Sequence, residues 1–128
     1  MKYGYSRIIQ LGMKETESKV RDTLQSKGFG VLTEIDVKST LRTKLNVDFK
    51  PYKILGACNP KIAHQALSEE PGIGLLLPCN IVIWDNDDGT VTLSAIDARQ
   101  MLSVTGRNDL EALSSQVNQL LTEAIDAV

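Results

Sequence analysis

The chain has 128 residues, of which 42% are apolar and 23% charged, and this is the composition of one soluble globular domain. The formal net charge is −2, but residues 1–61 carry 12 Lys/Arg against 6 Asp/Glu, whereas residues 62–128 carry 2 against 10. We therefore predict a single domain over residues 1–128. Its oppositely charged halves favour attraction within one subunit or across a dimer.

The sequence gives no indication of a membrane or nucleic-acid partner. No apolar run reaches the roughly 20 residues that cross a bilayer, and residues 1–7 lack the apolar core of a secretory signal. No nucleic-acid-reading motif accompanies the negative net charge. We expect a cytoplasmic protein, where thiols stay reduced, so Cys58 and Cys79 are interpreted first as free thiols.

The N-terminal quarter predicts a strand followed by a helix. The apolar residues of 3–11 have no helical period, which is typical of a strand. Further along, Met13, Val20 and Leu24 fall on one helical face, and Gly28 can end that helix in the left-handed conformation.

The next segments repeat this order twice. Residues 29–35 predict a second strand, after which Asp36 is a good N-cap for a short helix that ends at Asn46. Residues 52–58 predict a third strand. Asn59 and the proline after it then start a third helix, because Asn caps free backbone donors and Pro suits the first helical position.

An apolar stretch and a hairpin follow. Residues 73–84 are nearly all apolar apart from Pro78-Cys79-Asn80, which predicts a strand covered on both faces, either by the rest of the fold or by a second subunit. The acidic segment 85–89 has the composition of a turn. Residues 90–96 alternate between apolar and polar, so we predict a returning strand with one face toward water.

The C-terminal part completes an α+β fold. After a helical turn at 97–102, Asn108 and Glu111 stand in the spacing of a capping box and predict a final helix to about Asp126. The predicted architecture is a single antiparallel-rich sheet packed with helices.

A repeated Cys-Asn step is the one feature of the sequence that suggests a chemical role. No nucleotide loop, zinc-protease motif, C-x-x-C or nucleophile elbow is present, so no catalytic motif is found. Cys58-Asn59 ends one predicted strand and Cys79-Asn80 begins another. A thiol beside a helix N-terminus has its thiolate form favoured, and Cys58 precedes such a terminus.

Two hypotheses use these residues. In the first, Cys58, Asn59, His64, Cys79 and Asn80 surround a pocket for a small ligand, walled by the apolar stretch. In the second, Cys58 and Cys79 form a redox pair or, with His64, a soft-metal or haem site. Structural roles also account for every member, because free cysteines are commonly buried and Asn59 serves as a cap. The sequence identifies no cofactor.

The assembled segments resemble the bacterial and archaeal "domain of unknown function 302" family. The resemblance is carried by an ordered set of segments at 28–36, 52–60, 63–67 and 75–80. It implies a compact α+β domain with a TBP-like arrangement of antiparallel sheet and helices, generally found as a homodimer. It assigns no reaction. The two Cys-Asn segments coincide with the most recognisable motifs of the family.

Overall fold

The computed structural model describes all residues 1–128 and contains five strands and five α-helices. The strands are β1 (Gly4–Ile9), β2 (Gly30–Asp36), β3 (Tyr52–Cys58), β4 (Cys79–Asp85) and β5 (Val91–Ile96). The helices are α1 (Met13–Ser26), α2 (Val37–Leu45), α3 (Pro60–Glu69), α4 (Ala98–Ser103) and α5 (Glu111–Asp126). None of them is long and apolar enough to span a membrane.

The strands form one open sheet in the order β1-β5-β4-β3-β2, and every neighbouring pair is antiparallel. The predicted α+β class and the antiparallel sheet are therefore confirmed. β4 and β5 are joined by a short turn, whereas the connections from β2 to β3 and from β3 to β4 contain α2 and α3. Strands that follow one another in sequence commonly lie side by side in a sheet. β1 forms the edge of the sheet opposite to β2, because it pairs with β5 rather than with β2, the next strand in sequence.

Local signals for helix ends are confirmed at atomic level. Asp36 and Asn59 each accept a hydrogen bond from the backbone N–H of the third helical residue, which satisfies a donor that has no partner inside the helix. Asn46 ends α2 in the left-handed conformation at φ 52°, and Gly28 follows α1 at φ 86°. These residues therefore mark boundaries between helices and the segments that adjoin them.

Two predicted elements differ in the structure. Pro71–Leu76 is a 3₁₀ helix, so the strand predicted over 73–84 begins only at Cys79. Pro71 supplies the fixed φ of a first helical position, and this overrides the apolar pattern. The predicted capping box is absent. Asn108 lies inside the 3₁₀ turn Asn108–Leu110, and α5 begins without a side-chain cap.

The two faces of the sheet differ in their cover. Alternation along the strands points Leu55, Ile81 and Leu93 toward the helices, where each is fully buried. The other face, called here the open face, presents Tyr52 and Trp84, which stay partly exposed. Within one chain the helices therefore cover only one face of the apolar strand, and cover of its outer face by a second subunit stays a prediction.

The buried residues fall into two clusters. The larger cluster contains 17 residues from the sheet, α1, α5 and their neighbours. The smaller contains five residues from the region of α3, α4, α5 and the 3₁₀ segments: Ala66, Ile73, Leu102, Leu110 and Leu113. Ile62 and Met101 pack against both clusters. The core is thus divided, and the division sets the position of the site described next.

Candidate functional site

A cavity of about 280 Å³ lies between the two core clusters. Ala57 and Val117 from the larger cluster line it, together with Ala66 and Leu102 from the smaller one. Of its 17 lining residues 16 are hydrophobic, and none is charged. The cavity is therefore an apolar chamber bounded by the ends of β3 and β4 on one side and by α3, α4 and α5 on the other.

A close backbone approach shapes this end of the sheet. A Cβ built on Gly56 would lie 2.6 Å from Cγ of Pro78 and would also clash with the Thr33 hydroxyl. Gly56 therefore lets Pro78 pack directly against β3. Pro78 and Leu77 both line the cavity, so this contact helps to position the segment that enters β4.

Both cysteines line the cavity, but their surroundings differ. Cys79 is only 7% exposed, and burial, with a smaller contribution from Cys58, raises its pKa to about 11. Cys58 is half-buried, and both thiols are free. The register pairs Ala57 with Cys79, so Cys58 lies one residue further along β3 and is not directly opposite Cys79.

The other three predicted site residues lie elsewhere. Asn59 serves as the N-cap of α3, with its Oδ1 3.3 Å from the backbone nitrogen of the third helical residue. His64 is exposed on α3, and Asn80 is exposed on the open face. None of the three lines the cavity. The structure therefore brings together Cys58 and Cys79 and leaves the three polar residues apart.

The predicted metal-binding trio does not form a ligand cluster in this structure. No group of three or more His, Cys, Asp or Glu side chains converges in a way that could hold a metal ion. His64 lies away from the cavity that Cys58 and Cys79 share.

Sequence reasoning missed most of the cavity. Phe29, Met101 and Val117 line it, although they lie far apart along the chain and are not among the predicted site residues. A period of apolar residues marks each of them as a core residue but carries no information about where the core leaves space. Only the tertiary packing of α4 and α5 against the sheet reveals that these side chains share a chamber.

Comparison with known proteins places the chain in a family. A search of functionally curated proteins finds no match. Among solved structures, an uncharacterised conserved DUF302 protein from Bacillus stearothermophilus superposes with a TM-score of 0.92 at 27% sequence identity, covering 99% of this chain and 98% of that one. The profile of the family "Domain of unknown function DUF302" matches residues 5–128. The chain therefore belongs to the DUF302 family.

Proposed function

We propose that this protein binds a small, largely apolar molecule in the cavity lined by Cys58 and Cys79. The observation that carries the proposal is the cavity of about 280 Å³ between the two core clusters. The cavity is partly open, because its lining includes the exposed side chains of Leu32 and Leu67, and a guest that covered this apolar surface would gain hydrophobic free energy. A chamber of this size with an apolar lining is suited to an apolar guest, because water finds no hydrogen-bonding partners there.

The lining defines the chemistry of the ligand. It contains no charged side chain, and its side-chain heteroatoms are the sulfur atoms of Cys58, Cys79 and Met101. A charged or sugar-like molecule would lose its hydration without compensating hydrogen bonds, which costs several kcal/mol. The ligand is therefore uncharged and mostly hydrocarbon. The volume lies near the lower end of the roughly 300–1,000 Å³ typical of ligand pockets, which favours a compact molecule.

The alternative is a thiol-based redox protein or a soft-metal or haem site that uses Cys58, Cys79 and His64. It has less support, because His64 is exposed on α3 and does not line the cavity. The two cysteines are offset by one residue rather than directly paired across β3 and β4. Successive residues of a strand point to opposite faces, so a disulfide would require the end of β3 to rotate.

The cavity can be tested with cyclohexane as a neutral apolar probe. We expect saturable shifts of the methyl NMR signals of Ala57, Ala66 and Ala98, which line the cavity. Ala66→Leu should fill the chamber and abolish these shifts. The matched control is Ala124→Leu, because Ala124 is fully buried but does not line the cavity. This control should leave binding intact while overpacking costs about 1–3 kcal/mol of stability.

Two outcomes would count against the cavity proposal. The first is the absence of any saturable methyl shift in the wild-type protein. The second is unchanged cyclohexane binding by Ala66→Leu, which would place the probe elsewhere. Metal analysis and thiol titration of the freshly purified protein address the alternative. Stoichiometric metal bound through the cysteines would favour the thiol-based site.

We further propose that the protein works as a cytoplasmic homodimer. Its support is the charge distribution, because residues 1–61 and 62–128 have opposite net charge and Lys27–Glu123 is the one ion pair that joins them within the chain. Most of this imbalance is therefore available for contacts between copies. Free cysteines are consistent with a reducing compartment.

A further inference from the structure

A trough of about 430 Å³ lies on the open face of the sheet, on the side opposite to the cavity. Strand residues, among them Val82 and Ser94, form its floor. Side chains from outside the strands flank it, with Tyr3 preceding β1 and Phe49 preceding β3. The sheet separates this trough from the cavity proposed above, so the two can be occupied independently.

Aromatic rings dominate one side of the trough. Tyr52 and Trp84 are directly paired across β3 and β4. Their ring planes are inclined by only 9° with centroids 5.7 Å apart, and the Phe49 ring lies 6.2 Å from that of Tyr52. Rings in such an array attract further flat ring systems through offset stacking and edge-to-face contacts. The trough therefore favours a planar aromatic guest.

A positively charged side chain completes the trough. Lys50 has the only charged side chain among its lining residues, and it takes part in none of the ion pairs of the chain. Its Nζ lies 6.0 Å from the centroid of the Phe49 ring. The Asn80 side chain adds an amide that can donate and accept hydrogen bonds. A negative group placed near Lys50 would thus find a partner.

The neighbouring surface limits how much negative charge can bind. Asp48, Asp85 and Asp87 line an adjacent depression that shares Phe49 and Lys50 with the trough. These carboxylates repel a chain of phosphates, which would extend beyond the trough. A single-stranded nucleic acid is therefore disfavoured, although aromatic platforms on sheets can stack bases.

We propose that the trough on the open face is a second binding site, which takes a planar aromatic molecule with one negative charge. The aromatic part packs against Tyr52 and Trp84, and the anionic group lies toward Lys50. The side chains of Tyr3 and Phe49, which come from outside the strands, complete the lining around this guest.

The test uses 2-naphthoate as the probe and neutral 2-naphthylmethanol as its matched compound. Trp84 is the only tryptophan, so its single indole N–H signal in an NMR spectrum reports on this trough. We expect saturable shifts with 2-naphthoate and weaker binding of the neutral compound. Lys50→Gln should weaken 2-naphthoate about twofold to fivefold, the range of an exposed ion pair, and leave the neutral compound unchanged. Lys44→Gln, at an exposed lysine outside the trough, should change neither.

Further outcomes separate this site from its competitors. Ala66→Leu, which fills the cavity, should leave the response of Trp84 to 2-naphthoate intact, so failure of the cavity proposal would not affect this one. No saturable shift of the indole signal would overturn the proposal, as would equal affinity for the two compounds. It would also be overturned if a single-stranded oligonucleotide bound more tightly than 2-naphthoate. The same holds if raising the protein concentration alone shifted the indole signal and displaced 2-naphthoate, because a second copy would then cover the trough.

Discussion

Burial separates the two cysteines chemically. Cys79 is 7% exposed, and with its pKa raised to about 11 its thiol remains protonated at neutral pH. The thiolate is the reactive form of cysteine, so Cys79 behaves as a small apolar residue. Cys58 is half-buried at the same cavity, at the end of β3 and next to Asn59, the N-cap of α3. Of the two thiols, Cys58 is the one that solvent can reach.

The raised pKa of Cys79 predicts a loss of stability at alkaline pH. In the unfolded chain this thiol ionises at its ordinary pKa of about 8.5–9. The folded protein keeps the proton up to about 11, so the unfolded state loses protons first as pH rises. The contribution of this thiol to the free energy of unfolding is complete below about pH 8.5 and falls by about 2–3 kcal/mol as pH rises to about 11. Urea denaturation of the wild type and Cys79→Ala across this interval should show the difference in slope.

A matched variant isolates the cause. Cys58→Ala should keep the alkaline decline, because it leaves the buried thiol in place. If Cys79→Ala lost stability with the same slope as the wild type, the decline would have to come from other groups, such as lysines, and the explanation would be wrong.

At the scale of single residues, sequence reasoning succeeds where the cause is local. Asp36 and Asn59 are correct N-caps because a cap depends on a few neighbouring backbone donors. Asn80 shows the limit. It is adjacent to Cys79 in sequence, but alternation along β4 sends it to the open face, into the trough and away from the cavity.

The short helix α4 owes its position to a polar link with α5. Asp97 caps α4 by accepting hydrogen bonds from the backbone N–H groups of Arg99 at 2.9 Å and Gln100 at 3.2 Å. Asn118 of α5 donates to Asp97 at 2.9 Å and accepts from the backbone N–H of Ala98 at 2.7 Å. Because Ala98 lines the cavity, this link also holds one of its walls.

We expect Asp97→Ala to destabilise the protein by about 1–2 kcal/mol at pH 7, because it removes a cap and leaves the Asn118 amide without its acceptor. Burial raises the pKa of Asp97, but the hydrogen bonds from Asn118, Gln100 and Arg99 outweigh it, so the folded pKa lies below its usual value. The stabilisation is present above the unfolded pKa of about 4 and disappears as pH falls through the folded value. Chemical denaturation at pH 7 and at pH values below 4 measures both effects.

The control for this cap is Asp22→Ala, because Asp22 is an exposed residue of α1. It should change the free energy of unfolding by less than about 0.5 kcal/mol at either pH. A penalty for Asp97→Ala that persisted unchanged below the folded pKa would contradict the role of the carboxylate charge.

At the scale of elements, the errors share a physical origin. The apolar run 73–84 has the composition of a buried strand, but Pro71 turns its first part into a 3₁₀ helix. Asn108 and Glu111 have the spacing of a capping box, but residues Asn108–Leu110 form a 3₁₀ turn, so Asn108 does not act as the N-cap of α5. In both cases a short-range pattern fits two conformations, and a neighbouring feature of the chain, the proline or the 3₁₀ turn, selects one of them.

For the whole molecule, the class and antiparallel pairing follow from the sequence, whereas the cavity does not. Element order and the tendency of consecutive strands to pair restrict the topology to few alternatives, and the five-stranded sheet is one of them. The cavity depends on how α3, α4 and α5 fill the space above the ends of β3 and β4. No motif in the sequence encodes how closely these helices approach the sheet.

The charge distribution predicts how the proposed homodimer responds to salt. Within the chain, Lys27–Glu123 joins the halves at 2.9 Å, while the remaining ion pairs stay inside residues 1–61 or inside 62–128. Salt screens the attraction between the oppositely charged parts of two copies over a Debye length, which is about 10 Å at 0.1 M salt. Sedimentation velocity should therefore show a dimer at micromolar concentration in low salt and a dissociation constant that rises with added sodium chloride.

Sucrose at matched osmolality is the control, because it changes water activity without screening charge, and it should leave the dimer intact. A monomer under every condition would refute the homodimer. A dimer whose dissociation constant did not respond to sodium chloride would refute its electrostatic basis and would point instead to exposed apolar side chains such as Leu32 and Leu75. Replacing each of these leucines with serine would then weaken association, whereas under charge complementarity it leaves the salt dependence unchanged.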